Sequence, residues 1–287
     1  MALEAQDRDG LVEAALLMLG TLQDANLALF DGQDDRHDSH DPGRFVNFDA
    51  DVWLAYMQEL LPEPETLLAA YGAGYLETAE GDSIGYAYVS DLGDAYSMED
   101  FYAATNDVRY CRGLILDLRM YGGSGTEPNA RSAVGRFVAQ GAPAYLRSLR
   151  EGPGRYDMTE PVTVNATKNG AWQFTGPTVV LTGRGTSGAA ELLVLLLASQ
   201  DHVTLVGDTT AGFANPGPRF DLTEGWSLEI PSMMTYDLSM GAVFDRGIPP
   251  DIPVPAAPAD FEAGIDPVLD AALAMLAGKP GVPPRIR

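Results

Sequence analysis

The sequence predicts an α/β protein built on a mostly parallel sheet. Short, uninterrupted apolar runs, GLILDLR (113–119), TVVLTG (178–183) and HVTLVGD (202–208), read as strands buried on both faces. Segments with helical spacing lie between them, so strand and helix signals alternate, which is the order of a parallel sheet covered by helices. A hydrophobic content of 46% over 287 residues is enough for a real core.

The elements follow in chain order. Residues 11–29 (LVEAALLMLGTLQDANLAL) carry apolar residues at helical spacing, with Leu11, Ala15, Met18, Leu19 and Leu22 on one face. Residues 31–44 (DGQDDRHDSHDPGR) read as a polar loop, exposed or disordered. A second helical stretch spans about 50–73 and is broken by Pro62 and Pro64. From residue 84, IGYAYVS alternates like a strand, and SMEDFYAATN (97–106) reads as a helix. GLILDLR runs into the turn YGGSG, and residues 127–140 look helical. TVVLTG precedes the helix GAAELLVLLLAS, and HVTLVGD follows it. WSLEIPSMMTY (226–236) alternates like an antiparallel strand, and PVLDAALAML (267–276) is an amphipathic helix. There is no tandem repeat and no all-β insert the size of a separate module. The expected organisation is a helical N-terminal region, 1–75, and an α/β core, 76–287.

Charge and composition narrow the partners. Acidic residues outnumber basic ones 41 to 18, a net charge of −23. Phosphate binding needs Lys and Arg, so the balance argues against nucleic acid and against an anionic membrane surface. It suits a self-repelling surface. The single cysteine, Cys111, allows no internal disulfide and opens an apolar strand, so it reads as a small buried residue. No segment has about 18 uninterrupted apolar residues, so no membrane insertion is expected. The start, MALEAQDRDG, lacks a basic region before an apolar one, so no signal peptide is expected. Compartment stays undetermined, cytoplasmic or exported after leader removal.

The stretch LTGRGTSGAAELL (181–193) places Ser187 between a buried strand and a helix. A helix N-terminus offers free N–H groups and a positive potential that favours developing negative charge. The same geometry suits a plain N-cap, a common role for Ser. LDLRMYGG (116–123) also ends a buried strand, in a Gly pair whose N–H groups can approach a ligand closely. A Ser between two such strand ends makes an oxyanion site.

Six motifs in order carry a resemblance: IGYAYVSDL (84–92), GLILDLRMYGGSG (113–125), VVLTGRGTSGAAELL (179–193), VGDTTAG (206–212), GIPPDIPV (247–254) and DPVLDAALAML (266–276). Together, over roughly residues 75–277, they resemble the tail-specific, or C-terminal-processing, serine peptidases, a family that includes the tricorn protease core and the repeats of the interphotoreceptor retinoid-binding protein. The resemblance implies a crotonase-like spiral of ββα units without the family's PDZ module. It implies Ser187 as nucleophile, with oxyanion donors from the N–H of Gly188 and from the Gly122–Gly123 turn. It implies a peptide or protein substrate and no metal or organic cofactor.

The base does not match the family's patterns. Where one branch has Lys in GxxTxGK, this chain has Phe213, and its two lysines, Lys168 and Lys279, lie elsewhere. Where the tricorn-like branch has His after an early helix, this chain has Asn26, whose amide cannot accept the proton. Where that branch has Glu before the GI-x-PD turn, this chain has Phe244, with Asp245 beside it as a carboxylate one residue out of register. Of the three histidines, His202 begins a strand at the far end of a helix about 20 Å long. His37 and His40 follow Asn26 and are the candidate bases, against a reading as solvated loop residues. HDSHD also has metal-like spacing, a weak signal by itself. Arg119 and Arg184 flank the proposed site and could anchor a peptide carboxylate, or pair at the surface with the many acids. Tyr121, Phe213 and Arg184 are the candidate substrate contacts. Homo-oligomerisation is left open. The competing readings are a degenerate member that binds a peptide or apolar ligand, and a crotonase-type acyl-thioester enzyme that would not need Ser187.

Overall fold

The computed structural model describes residues 8–22, 26–33, 35–39, 45–60, 71–77, 83–93, 97–120, 125–154, 157–215, 217–243 and 246–278. In chain order the elements are α1 (Arg8–Leu19), β1 (Ala28–Phe30), β2 (Arg36–Asp38), α2 (Ala50–Leu60), β3 (Tyr71–Glu77), β4 (Ser83–Val89), α3 (Met98–Asn106), β5 (Gly113–Asp117) and α4 (Glu127–Val134). Then come β6 (Ala142–Leu149), β7 (Val162–Ala166), β8 (Thr178–Thr182), α5 (Ala189–Ala198), β9 (Val203–Gly207), β10 (Arg219–Asp221), β11 (Ser227–Glu229), β12 (Met233–Tyr236), β13 (Ile252–Pro253), α6 (Pro258–Glu262) and α7 (Pro267–Leu276).

A six-stranded sheet in the order β13-β9-β8-β5-β4-β3 forms the centre. Its neighbours are parallel except β3, which runs antiparallel to β4. The continuous apolar strands are explained by burial on two sides. Leu114 and Leu116 of β5 and Val180 of β8 face the cluster that holds α3, α4 and α5. Ile115, Val179 and Leu181 face Trp53 and Met57 of α2 and Val268, Leu269 and Ala272 of α7. Two smaller antiparallel sheets, β12-β6-β7 and β10-β11-β1-β2, complete the fold. The mixed α/β class and the mainly parallel centre match the expectation from sequence.

Several elements differ from their sequence reading. The first helix stops at Leu19, and residues 28–30 form β1 instead of its end. There, pairing with both β2 and β11 outweighs local helical spacing. Leu19 is buried with Leu27 and Leu29, whereas Leu11, Met18 and Leu22 are exposed. The polar loop contains β2, and Asp31 within it is fully buried. Residues 71–73 belong to β3, not to the second helix. The helix expected over 127–140 ends at Val134. Gly135 lies against Asn169 so closely that a Cβ would come 2.2 Å from that side chain, and the chain turns there. WSLEIPSMMTY is two strands in different sheets, β11 with β1 and β10, and β12 with β6. Pro231 lies between them and cannot donate to a ladder.

Candidate active site

Ser187 lies half-buried in the turn that joins β8 to α5. Gly188 is the N-cap of α5, with φ 56° and ψ −124°, a conformation that strains any L side chain. Fully buried Thr186 fixes the turn. Its backbone N–H donates to Gly183 O (2.9 Å), and its Oγ1 accepts from Gly183 N (3.1 Å) and donates to Leu118 O (2.9 Å). Leu118 N in turn donates to Leu181 O (3.1 Å), and Asp117 stands opposite Leu181 across the parallel pair. The two strand ends singled out in the sequence are therefore adjacent. The Gly122–Gly123 turn and Tyr121 lie outside the described residues, as do His40, Phe244 and Asp245.

Glu191 is the residue that sequence reasoning missed. It is fully buried in the first turn of α5, four residues after Ser187. Its Oε1 accepts from Thr210 Oγ1 (2.5 Å) and Gly212 N (2.7 Å), and its Oε2 accepts from Phe213 N (2.5 Å). Burial pushes this carboxyl up, and the hydrogen bonds from Thr210, Gly212, Phe213 and the Gly188 backbone offset that only in part, leaving it at about 7. The available signal was one charged residue inside AAELLVLLLA, a helix otherwise wholly apolar.

The predicted substrate contacts have structural partners. Arg184 Nη1 donates to Thr210 O (2.9 Å), and its Nε lies 3.8 Å from Asp208 Oδ2. Phe213 is half-buried, with its N–H on Glu191. Arg119 neither anchors a peptide nor pairs at the surface. Its side chain is fully buried, bonded to Asp117 (Nε to Oδ1 3.0 Å, Nη2 to Oδ2 2.7 Å), to Asp266 (2.9 and 2.8 Å) and to Asn47 O (3.2 Å). Tyr86 OH donates to Asp117 (3.0 Å), and Trp53 Nε1 donates to Tyr86 OH (2.7 Å). This network lies under the end of β5 that leads into the Gly122–Gly123 turn.

His37 sits on β2 with its Nε2 2.6 Å from Asp31 Oδ2. Asp31 also accepts from Arg8 and from the N–H groups of Gln33 (2.8 Å) and Asp35 (3.2 Å). Burial would raise the Asp31 carboxyl, but the bonds from His37, Gln33, Arg8 and Asp35 outweigh it and hold it well below the usual carboxylate range. Asn26 is buried. His202 stands before β9, its carbonyl bonded to Thr178 N, at the opposite end of β8 from the Ser187 turn. Among the described residues Ser187 Oγ makes no hydrogen bond, and no cluster of His, Cys, Asp and Glu is arranged to hold a metal. No helix among them is long and apolar enough to cross a membrane.

A doubly covered α/β sheet, with a serine at a strand–helix turn beside the end of a second parallel strand, defines the hydrolase-like class of site. The model of Peptidase family S41 matches residues 83–254, more than half of the chain, and the chain belongs to that family. Among curated proteins it is similar to the tricorn protease of Thermoplasma volcanium, 24% identical over 195 residues that cover 67% of this chain and 17% of that protein. The chain thus spans a small part of that relative's length. Among solved structures it is similar to one from Parabacteroides merdae, with TM-score 0.74 and 23% identity over 94% of this chain and 84% of the other. It is also similar to a lipoprotein from Streptococcus agalactiae, with TM-score 0.61 and 12% identity over 96% and 84% of the two chains. At these identities the structural likenesses speak for the fold.

Proposed function

We propose that the chain is a serine-type peptidase that works through an acyl-enzyme on Ser187, with residues 76–287 as a crotonase-like spiral core. The observation that carries this reading is the Ser187–Gly188 turn, held by Thr186 beside the end of β5 in a backbone that only Gly adopts without strain. Ser187 Oγ attacks the peptide carbonyl and passes its proton to a base. The N–H of Gly188, which also meets the Glu191 carboxylate in the resting site, and one from the Gly122–Gly123 turn are assigned to stabilise the oxyanion. The C–N bond breaks as the base returns the proton to the leaving amine, and water then releases the acyl group. We assign the base to His37 or His40, with Asp245 as a further carboxylate. Support for His37 is its carboxylate partner, Asp31, which leaves Nδ1 to take a proton. Tyr121, Phe213 and Arg184 are assigned to the substrate side of the cleft.

A second reading, a degenerate member that binds a peptide or apolar ligand, is favoured by one observation. Ser187 Oγ has no base bonded to it among the described residues. Intact-mass analysis after a fluorophosphonate probe decides between them. One adduct on the wild type and none on Ser187→Ala is the expected result. A folded wild type that takes no adduct makes the binding reading the better one.

A further inference from the structure

Glu191 joins three sequence motifs that are far apart in the chain. It belongs to the helix of the Ser187 motif. Three of its donors, Thr210 Oγ1, Gly212 N and Phe213 N, belong to the VGDTTAGF motif. Thr210 Oγ1 also accepts from Ile248 N (2.8 Å), and Thr210 N donates to Ile248 O (3.1 Å), which brings in the GIPP motif. As the N3 residue of α5, Glu191 also meets the Gly188 backbone, the contact by which a carboxylate caps its own helix. Beyond that contact it gathers donors 19 to 22 residues ahead in sequence, which capping alone does not require. The same segment is tied to the serine turn a second time, by Ala211 N on Thr186 O (2.9 Å) and by Arg184 on Thr210 O.

We propose that Glu191 is a positioning residue for the nucleophile: its buried carboxylate clamps segment 210–213 against the first turn of α5 and so fixes the Ser187–Gly188 backbone for attack. The inference rests on the Ser187 reading above. Glu191 lies one helical turn beyond Ser187, so a shift of the clamped segment is transmitted directly to the serine turn. Displacements of about 1 Å at a reacting group are enough to lower rates about a hundredfold.

The test uses Glu191→Gln, Thr210→Val and Thr210→Ser in the full chain. Fluorophosphonate labelling is resolved into kinact and KI, and amide hydrogen exchange is followed over residues 208–215. Glu191→Gln is expected to lower kinact at least about tenfold with KI unchanged, and to speed exchange at 210–213. Thr210→Val follows it in the same direction, and Thr210→Ser, which keeps the hydroxyl, behaves as wild type. Unchanged kinact in folded Glu191→Gln and in Thr210→Val overturns the proposal even if exchange rises, because the side chain then serves the fold alone. If Glu191→Gln does not fold, the Thr210 pair decides by the same criterion. A wild type that takes no adduct removes the Ser187 reading. Exchange then judges the clamp by itself, and unchanged exchange in Glu191→Gln overturns it.

Discussion

Arg119 is the one cation between two buried carboxylates, and its removal tests the frame under the site. Arg119, Asp117 and Asp266 are all buried, and their fixed charges sum to −1. Burial works against the Arg119 charge, yet the neighbouring Asp117 and Asp266 hold its pKa above the usual guanidinium value. Arg119→Met leaves two carboxylates without a counter-charge, and breaking a buried pair in this way costs about 3–5 kcal/mol. Asp266→Asn is milder, because Arg119 keeps Asp117 and the remaining pair is neutral. Its cost is the loss of charge on one bidentate contact, about 1.5–3 kcal/mol. Asp266→Ala adds the loss of the α7 N-cap, where Asp266 Oδ1 accepts from Val268 N (3.1 Å) and Leu269 N (3.0 Å), about 1 kcal/mol more. The expected order of damage is therefore Arg119→Met, then Asp266→Ala, then Asp266→Asn. Urea unfolding followed by tryptophan fluorescence reads it, since Trp53 bonds to Tyr86 at the edge of the network. A milder Arg119→Met than Asp266→Asn would refute the reasoning.

Two more outcomes follow from the serine turn. Glu191 has a folded-state pKa of about 7 against an ordinary 4.5, so it is a raised group. Its contribution to stability is full below about pH 4.5 and is lost as pH rises through 7, about 3 kcal/mol over that window. Glu191→Gln does not titrate, so the wild type should lose about that much more stability than the variant between pH 4.5 and 8. Parallel urea-midpoint curves would contradict the assignment. Gly188→Ala forces a side chain into φ 56°, ψ −124°, a strain of about 1–3 kcal/mol, and should abolish probe labelling of Ser187. Gly264→Ala, also at positive φ (73°) but with open space around it, is the control: it should leave labelling as in the wild type.

What the sequence disclosed depended on how local the signal was. The strands β5, β8 and β9 were legible because each is apolar throughout and buried on both faces. Ser187 was legible because a strand, a small turn and a helix follow one another within a few residues. β1 and β2 were not legible, because β1 is decided by pairing with β11, some 200 residues away, and β2 by pairing with β1 in turn. The same holds for Asp31 and His37. A run of Asp, Arg and His looks solvated until Asp31 is buried with four donors around it, three from the hairpin and Arg8 from α1. Glu191 was hidden by its setting, since nothing in AAELLVLLLA says where its partners lie. Arg119 was misread for a related reason: its second carboxylate, Asp266, stands 147 residues further on.

The residues that build this site are distinct from those that would do its chemistry. Thr186, Glu191, Thr210 and Arg184 hold three strand ends together through bonds that involve neither Ser187 Oγ nor any base. The frame therefore persists whether or not a proton acceptor is in place. The family's base positions carry Asn26 and Phe213 here, its Glu position carries Phe244, and none of these can take a proton at neutral pH. A peptidase on this frame must draw its base from elsewhere, and the loop that carries His37 and His40 begins only a few residues after Asn26. The buried Asp31 makes that loop more than a solvated connection, since its carboxylate holds His37 Nε2 at 2.6 Å, the contact on which the proposal of His37 as base rests. Replacing the base while keeping the frame needs few changes. That is the physical reason a complete serine turn and lost base positions can occur in one chain.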